Sequence, residues 1–311
     1  MNAASALSRT LTGQQWSISA DGHEAVVVEV GGGLREYRHA GQDLVDGYGP
    51  DEICPGSAGQ ILAPWPNRIR DGRYTFEGTT YDLPLTEPAR HNSIHGLVNW
   101  SRWVPVSVEP DAVTLEHELV PLPGYPWPLV LRTTWRVGAD GLTAHHEVTN
   151  VGTQPAPFGL ASHPYLQVPG VKVEDLSLEL ACQNRLLLDG RLLPIGAAKV
   201  AGTDLDFATP RRIGPAVLDL AFNEPAQDDA GVSVARLRGP DGNGVEMWAD
   251  EAFGWWQVFT GDTLAPPRHR RSVAIEPMTC PPDAFRSGRD LLVLAPGQTW
   301  RGAWGVRPLA A

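Results

Sequence analysis

At 311 residues, 42% of them apolar, the chain can build a full hydrophobic core, which excludes a disordered protein. Its net charge of −11 excludes the basic surface of a nucleic-acid binder, so no nucleic-acid partner is expected. Three widely spaced cysteines (Cys54, Cys182, Cys280) suit reduced thiols, and neither a basic-then-apolar leader nor a run of about 18 apolar residues occurs; a cytoplasmic protein without a membrane partner is expected.

Residues 1–12 are expected to fray, and 13–311 to form one domain. Glycine and proline then punctuate short apolar runs along the whole chain. "YTFEGTTYDL" (74–83) predicts two short strands around Glu77-Gly78. "LRTTWRVGADGLTAHHEVTN" (131–150) predicts two longer ones around Ala139-Asp140-Gly141. "RLLLDGRLLPI" (185–195) centres on Asp189-Gly190, a two-residue turn signal. "VSVARLRGPDGNGVEMWAD" (232–250) repeats the hairpin design with a longer loop. "WWQVFT" (255–260) and "SVAIEPM" (272–278), rich in aromatic and β-branched residues, predict buried strands. No long amphipathic helix and no fixed repeat is legible. The pattern predicts an all-β protein, a large antiparallel β-sandwich.

Several chemistries lack their sequence signatures. There is no phosphate-binding G-x-x-x-x-G-K-[ST], no strand-linked G-x-G-x-x-G and no G-x-S-x-G elbow. His91 and His95 have the spacing of a helical zinc pair, but Pro88 and Gly96 argue against a helix there, and neither a metal nor a cofactor is expected. His145 and His146 are adjacent and on a strand would face opposite sides. The basic run Arg268–Arg271 reads as a solvated loop, with an anion contact as the alternative.

The informative block is residues 59–103. It interleaves Asn67, Arg68 and His95 with Trp65, Trp100 and Trp103. Sugars are held this way: an aromatic plane covers the apolar C–H face, and charged or amide groups bind the hydroxyls. Taken singly, each of these residues reads equally as core or as an ordinary ion-pair partner.

"PWPNRIRDGRYTF", "HNSIHGL", "SHPYL", "LDLAFN", "WQVFTG" and "AIEPMTCPPDAF" stand in that order between about residues 59 and 297. This ordered set resembles the aldose 1-epimerases (galactose mutarotases). The resemblance implies a galactose mutarotase-like supersandwich, no cofactor, and interconversion of the α and β anomers of a free monosaccharide. It assigns Glu276 as the base on the C1 hydroxyl and His163 as the acid on the ring oxygen. Asn67, Arg68, His95, Tyr165, Asp219 and Gln257 become substrate-binding positions. Both catalytic residues are expected at strand ends facing one cleft, with Pro164 and Pro277 fixing the backbone.

The chain departs from the family at His95-Gly96-Leu97, Leu166-Gln167 and Glu276-Pro277-Met278, where many members read His-Gly-Gly, Phe-Asn and Glu-Thr-Gln. "PWPNR", "LPLTEPAR" and "IHGLV" resemble a bacterial branch that includes mutarotases associated with sulfoquinovose, a 6-sulfonated glucose. An anionic C6 group would need an extra cation, for which Arg70, Arg90, Arg102 and Arg268–Arg271 are candidates. A hexose-6-phosphate 1-epimerase and a non-catalytic carbohydrate-binding protein are the alternative readings.

Overall fold

A computed structural model describes residues 10–311 of the protein. Its architecture is antiparallel β throughout. Among the described residues, helix is confined to Ala284–Ser287 and the 3-10 turns Pro55–Ser57, Pro88–Arg90 and Val173–Asp175. One nine-stranded sheet runs in the order Val104–Val108, Ala112–Leu119, Leu129–Gly138, Gly141–Asn150, Thr299–Leu309, Gly244–Ala249, Ser233–Arg238, Ser177–Leu180, Phe207–Arg212. A second sheet of eight strands carries Pro194–Lys199, Cys182–Leu188, Asp219–Pro225, Trp255–Phe259, Val273–Met278, Ala161–Ser162 and Ile61–Leu62. Its eighth strand, Tyr165–Leu166, also pairs with Val273–Met278.

The two sheets bury opposing faces because their strands alternate with period two. Along Leu129–Gly138, Leu129, Leu131, Thr133, Trp135 and Val137 are buried while the residues between them are open. In the second sheet Trp256, Val258, Val273 and Ile275 join the same core cluster. Full burial of each aliphatic side chain of this kind contributes roughly 1.5–3 kcal/mol. Polar tips in the core find partners across it. The Trp304 indole, from the first sheet, donates to Ser162 Oγ at 3.0 Å in the second, and the Trp256 indole returns the contact to Ser233 Oγ at 3.2 Å.

The hairpins predicted at 74–83, 131–150 and 232–250 all form. The adjacent histidines part as alternation requires, His145 exposed and His146 buried against Thr133 Oγ1 at 2.9 Å. The Asp189-Gly190 pair does not make a two-residue turn. Residues 189–193 form a longer loop, because the Asp189 carboxylate accepts from the amides of Arg191 and Leu193 at 2.8 and 3.0 Å and so winds the chain around itself. Of the segment expected to fray, residues 1–9 lie outside the described residues. Thr12 is buried, its amide and hydroxyl donating to Pro50 O at 3.2 and 3.0 Å.

Candidate active site

Strand alternation also builds the site. Because Trp256, Val258 and Ile275 point into the core, Gln257 and Glu276 must point the other way. These two are directly paired across neighbouring strands, and Ala221 is paired to Gln257 on the next strand over. Asp219, two residues before Ala221, therefore shares that outer face. His163 sits in the break between Ala161–Ser162 and Tyr165–Leu166, which pair with Met278 and Ala274 of the strand Val273–Met278, so the break falls level with Glu276. Glu276 differs from expectation: it lies within its strand rather than at an end.

His163 Nε2 lies 3.3 Å from Glu276 Oε1, and both side chains are almost completely buried. His163 is wedged between aromatic rings. Tyr165 stacks on it at 5.0 Å, and His95 meets it edge-on at 5.5 Å. Burial lowers the His163 pKa to about 4. Burial, with the Asp219 charge added, pushes Glu276 well above the ordinary carboxylate range, and Arg68 opposes this. Desolvation holds His95 well below its usual value, with His163 adding to it, so His95 is a neutral ring. Asp219 is raised by burial against the pull of Arg68 and Arg90.

All eight residues singled out in the sequence line one cavity of about 240 Å³. That is below the roughly 300–1,000 Å³ of pockets for drug-sized ligands and suits a single sugar ring. Asn67, in a left-handed conformation (φ +53), accepts from Arg68 through its side chain, and its carbonyl accepts the His95 amide at 2.9 Å. Arg68 grips Glu87 with two parallel bonds, Nε to Oε2 at 2.8 Å and Nη2 to Oε1 at 3.0 Å. Gln257 Nε2 donates to Asp219 Oδ1 at 2.6 Å. The Tyr165 hydroxyl is spent on Gly56 O at 3.0 Å, which makes its ring a wall. Four buried polar atoms of cavity residues have no hydrogen-bond partner among the described residues: His95 Nδ1, His163 Nδ1, Gln257 Oε1 and Glu276 Oε2. Unpaired buried polar atoms are costly, and all four belong to residues that line the cavity.

His95 is held by Gly96. With φ +75, a Cβ on Gly96 would lie 2.0 Å from Ala63 O, so only glycine permits this approach. His91, the other half of the apparent zinc pair, turns away to bond Asp71 at 2.9 Å.

Sequence reasoning misplaced the aromatics. Trp65 and Trp103 are core residues at 1% exposure, and Trp100 is a surface side chain; none lines the cavity. Tyr165 and Phe259 supply its aromatic surface. Glu87 was missed as a partner of the site, and Arg90 had been singled out only as one of several candidate cations. Only the fold brings the segment "TEPAR" beside Arg68. Several candidate cations are spent elsewhere. Arg70 pairs with Asp189 and Arg102 with Glu29, while Arg268 and Arg271 hold Asp46 and Arg270 holds Asp262 and two carbonyls. The run 268–271 is thus a set of internal ties rather than a solvated loop. Arg90 alone of the candidates lines the cavity; it gives Nη1 to Glu87 at 2.9 Å and leaves its other donors free.

A large antiparallel β-sandwich with a buried imidazole–carboxylate pair at a sugar-sized cavity suits acid–base chemistry on a small ligand. The aldose 1-epimerase profile matches residues 14–306, and the chain belongs to that family. It is 33% identical over 291 residues to YihR, an uncharacterized protein of Escherichia coli K12, covering 93% of this chain and 92% of that one. It is 29% identical over 168 residues to the galactose mutarotase of Rattus norvegicus, covering 50% of this chain and 46% of that one. The fold is similar to that of the GalM/aldose epimerase homologue of C. elegans, with TM-score 0.83, 18% identity and 96% and 99% of the two chains covered. Galactose 1-epimerase of Lactobacillus acidophilus NCFM gives TM-score 0.78 at 20% identity, over 94% and 93% of the chains. The enzyme is an isomerase. Among the described residues no helix is long and apolar enough to cross a membrane.

Proposed function

We propose that residues 13–311 act as one mutarotase domain that interconverts the anomers of a free aldohexose, with Glu276 as base and His163 as acid. The carrying observation is the 3.3 Å His163–Glu276 contact at the wall of a sugar-sized cavity. Ring opening needs one proton removed from the C1 hydroxyl and one delivered to the ring oxygen. Glu276 takes the first as the C1–O bond electrons pass to the ring oxygen, and His163 protonates that oxygen. Rotation about C1–C2 presents the other face of the aldehyde, and the two steps reverse.

One proton serves the pair. Burial favours that proton on Glu276 and a neutral His163. A sugar hydroxyl donating to Glu276 replaces the solvation the carboxylate lost and so restores the ionic form that starts the reaction. Asn67, Arg68, His95, Asp219 and Gln257 bind the remaining hydroxyls, and Tyr165 and Phe259 bound the ring. Three free, buried cysteines agree with a reducing cytoplasm.

Arg90 favours a substrate with an anionic substituent at C6, such as sulfoquinovose or a hexose 6-phosphate. Arg68 and Arg90 share the carboxylate of Glu87, with the buried Asp219 as the second acid near them, so what faces such a substituent is the part of the Arg90 guanidinium that Glu87 does not use. The test is polarimetry, or exchange NMR at anomeric equilibrium, with glucose, galactose, glucose 6-phosphate and sulfoquinovose. Arg90→Gln should lower kcat/KM for the anionic sugars at least about tenfold more than for the neutral ones. Equal losses would remove the C6-anion assignment. Sugar binding without acceleration of any anomerisation would make the protein a carbohydrate-binding module.

A further inference from the structure

The 189–193 loop joins the edge hairpin of the second sheet and reaches the turn that carries Glu87 and Arg90. Arg191 makes the junction. Its Nε donates to Arg90 O at 2.8 Å, and its Nη2 donates to His91 O at 2.6 Å, Asp71 Oδ1 at 2.8 Å and Asn92 Oδ1 at 3.2 Å. Asn92 closes the circuit: its Nδ2 donates to Arg191 O at 3.2 Å and to Glu87 Oε2 at 2.9 Å. Within itself the turn is closed by Glu87 N to Asn92 O and Asn92 N to Glu87 O; on its other side it is held by Arg68 on Glu87, by Asp71 on His91 and by the pairing of Asn92 with Arg70. It also contains a left-handed non-glycine residue, His91 (φ +53), and Arg191 bonds the carbonyls of both Arg90 and His91. A conformation of that kind persists where its surroundings over-determine it.

We infer that Arg191 is a positioning residue for substrate recognition: it clamps the Glu87–Asn92 turn so that Glu87 keeps Arg68 and Arg90 aimed at the cavity. Its kinetic consequence rests on the mutarotase reading. Arg191 touches neither His163 nor Glu276, which are carried by the second sheet. Loosening the turn therefore weakens the hold on the sugar in ground state and transition state alike, which raises KM and spares kcat. Lysine cannot replace it, because a single ammonium does not span four acceptors in a fork.

Arg191→Ala and Arg191→Lys are compared with wild type by anomerisation kinetics and by backbone hydrogen exchange. The expected result for both is KM raised about tenfold or more with kcat within about twofold. The amides of residues 87 and 91–92 should exchange faster while those of Val273–Met278 do not change. Unaltered exchange at 87–92, a fall in kcat alone, or rescue by lysine would overturn the inference. A lower melting temperature with unchanged KM would reduce Arg191 to an ordinary staple and overturn it equally. If the wild-type protein accelerates no anomerisation, the mutarotase reading fails on its own; the exchange data and the sugar dissociation constant then decide the role of Arg191.

Discussion

Replacing Glu276 by glutamine should make the protein slower and more stable at once. The isostere keeps the shape of a fully buried side chain and removes its basicity. Loss of a positioned base costs ~10²–10⁴-fold in kcat, which is about 2.7–5.4 kcal/mol of barrier. Sugar affinity should change little, since Asn67, Arg68, His95, Asp219 and Gln257 stay in place. The stability gain has a definite pH dependence. Glu276 has a folded pKa raised above 4.5, so below about pH 4.5 it is protonated in both folded and unfolded states and burial carries no ionisation penalty. As pH rises toward the folded pKa, wild-type stability falls by up to about 1.4 kcal/mol per pH unit from this group, then levels off. Glutamine escapes that loss and the Asp219 repulsion. Thermal melts of both proteins from pH 4.5 to 8 should therefore diverge with rising pH, the variant melting higher. Unchanged kcat would refute the base assignment. A variant that melts lower than wild type at pH 8 would refute the burial argument.

Other outcomes follow from the same geometry. The pair works with one proton, so wild-type kcat/KM should hold its plateau down toward pH 4, where His163 gains a second proton, and fall on the alkaline side as the raised Glu276 loses the shared one. An acid limb centred on the ordinary imidazole value in a pH–rate profile would contradict this. Glu87→Ala strips two arginines of their common carboxylate; chemical denaturation should register a loss of about 3 kcal/mol, together with a higher KM. Gly96→Ala forces a Cβ against Ala63 O, and should cost more than about 1 kcal/mol while displacing His95; a fully active, equally stable variant would show that this approach is not tight.

Many strands and the hairpin pairings at 74–83, 131–150 and 232–250 were readable from the chain because they are local. Alternation along 129–138 and the turn residues near 78 and 140 specify hairpins without any distant partner. His163 and Glu276 were readable through the ordered resemblance of motifs, and alternation then explains why Glu276 and Gln257 share a face. What local pattern could not decide was where apolar and charged side chains end up once sheets stack. Trp65, Trp103 and Phe259 look equivalent in sequence, yet the first two pack into the core and the third lines the cavity. Arginines 70, 90, 102, 191, 268, 270 and 271 are chemically identical, and tertiary pairing alone separates those tied to Asp46, Asp189, Asp262 or Glu29 from Arg90 at the cavity and Arg191 at its clamp. Charge-assisted pairing depends on separations of about 3 Å between residues up to hundreds of positions apart, and only the closed fold sets those separations.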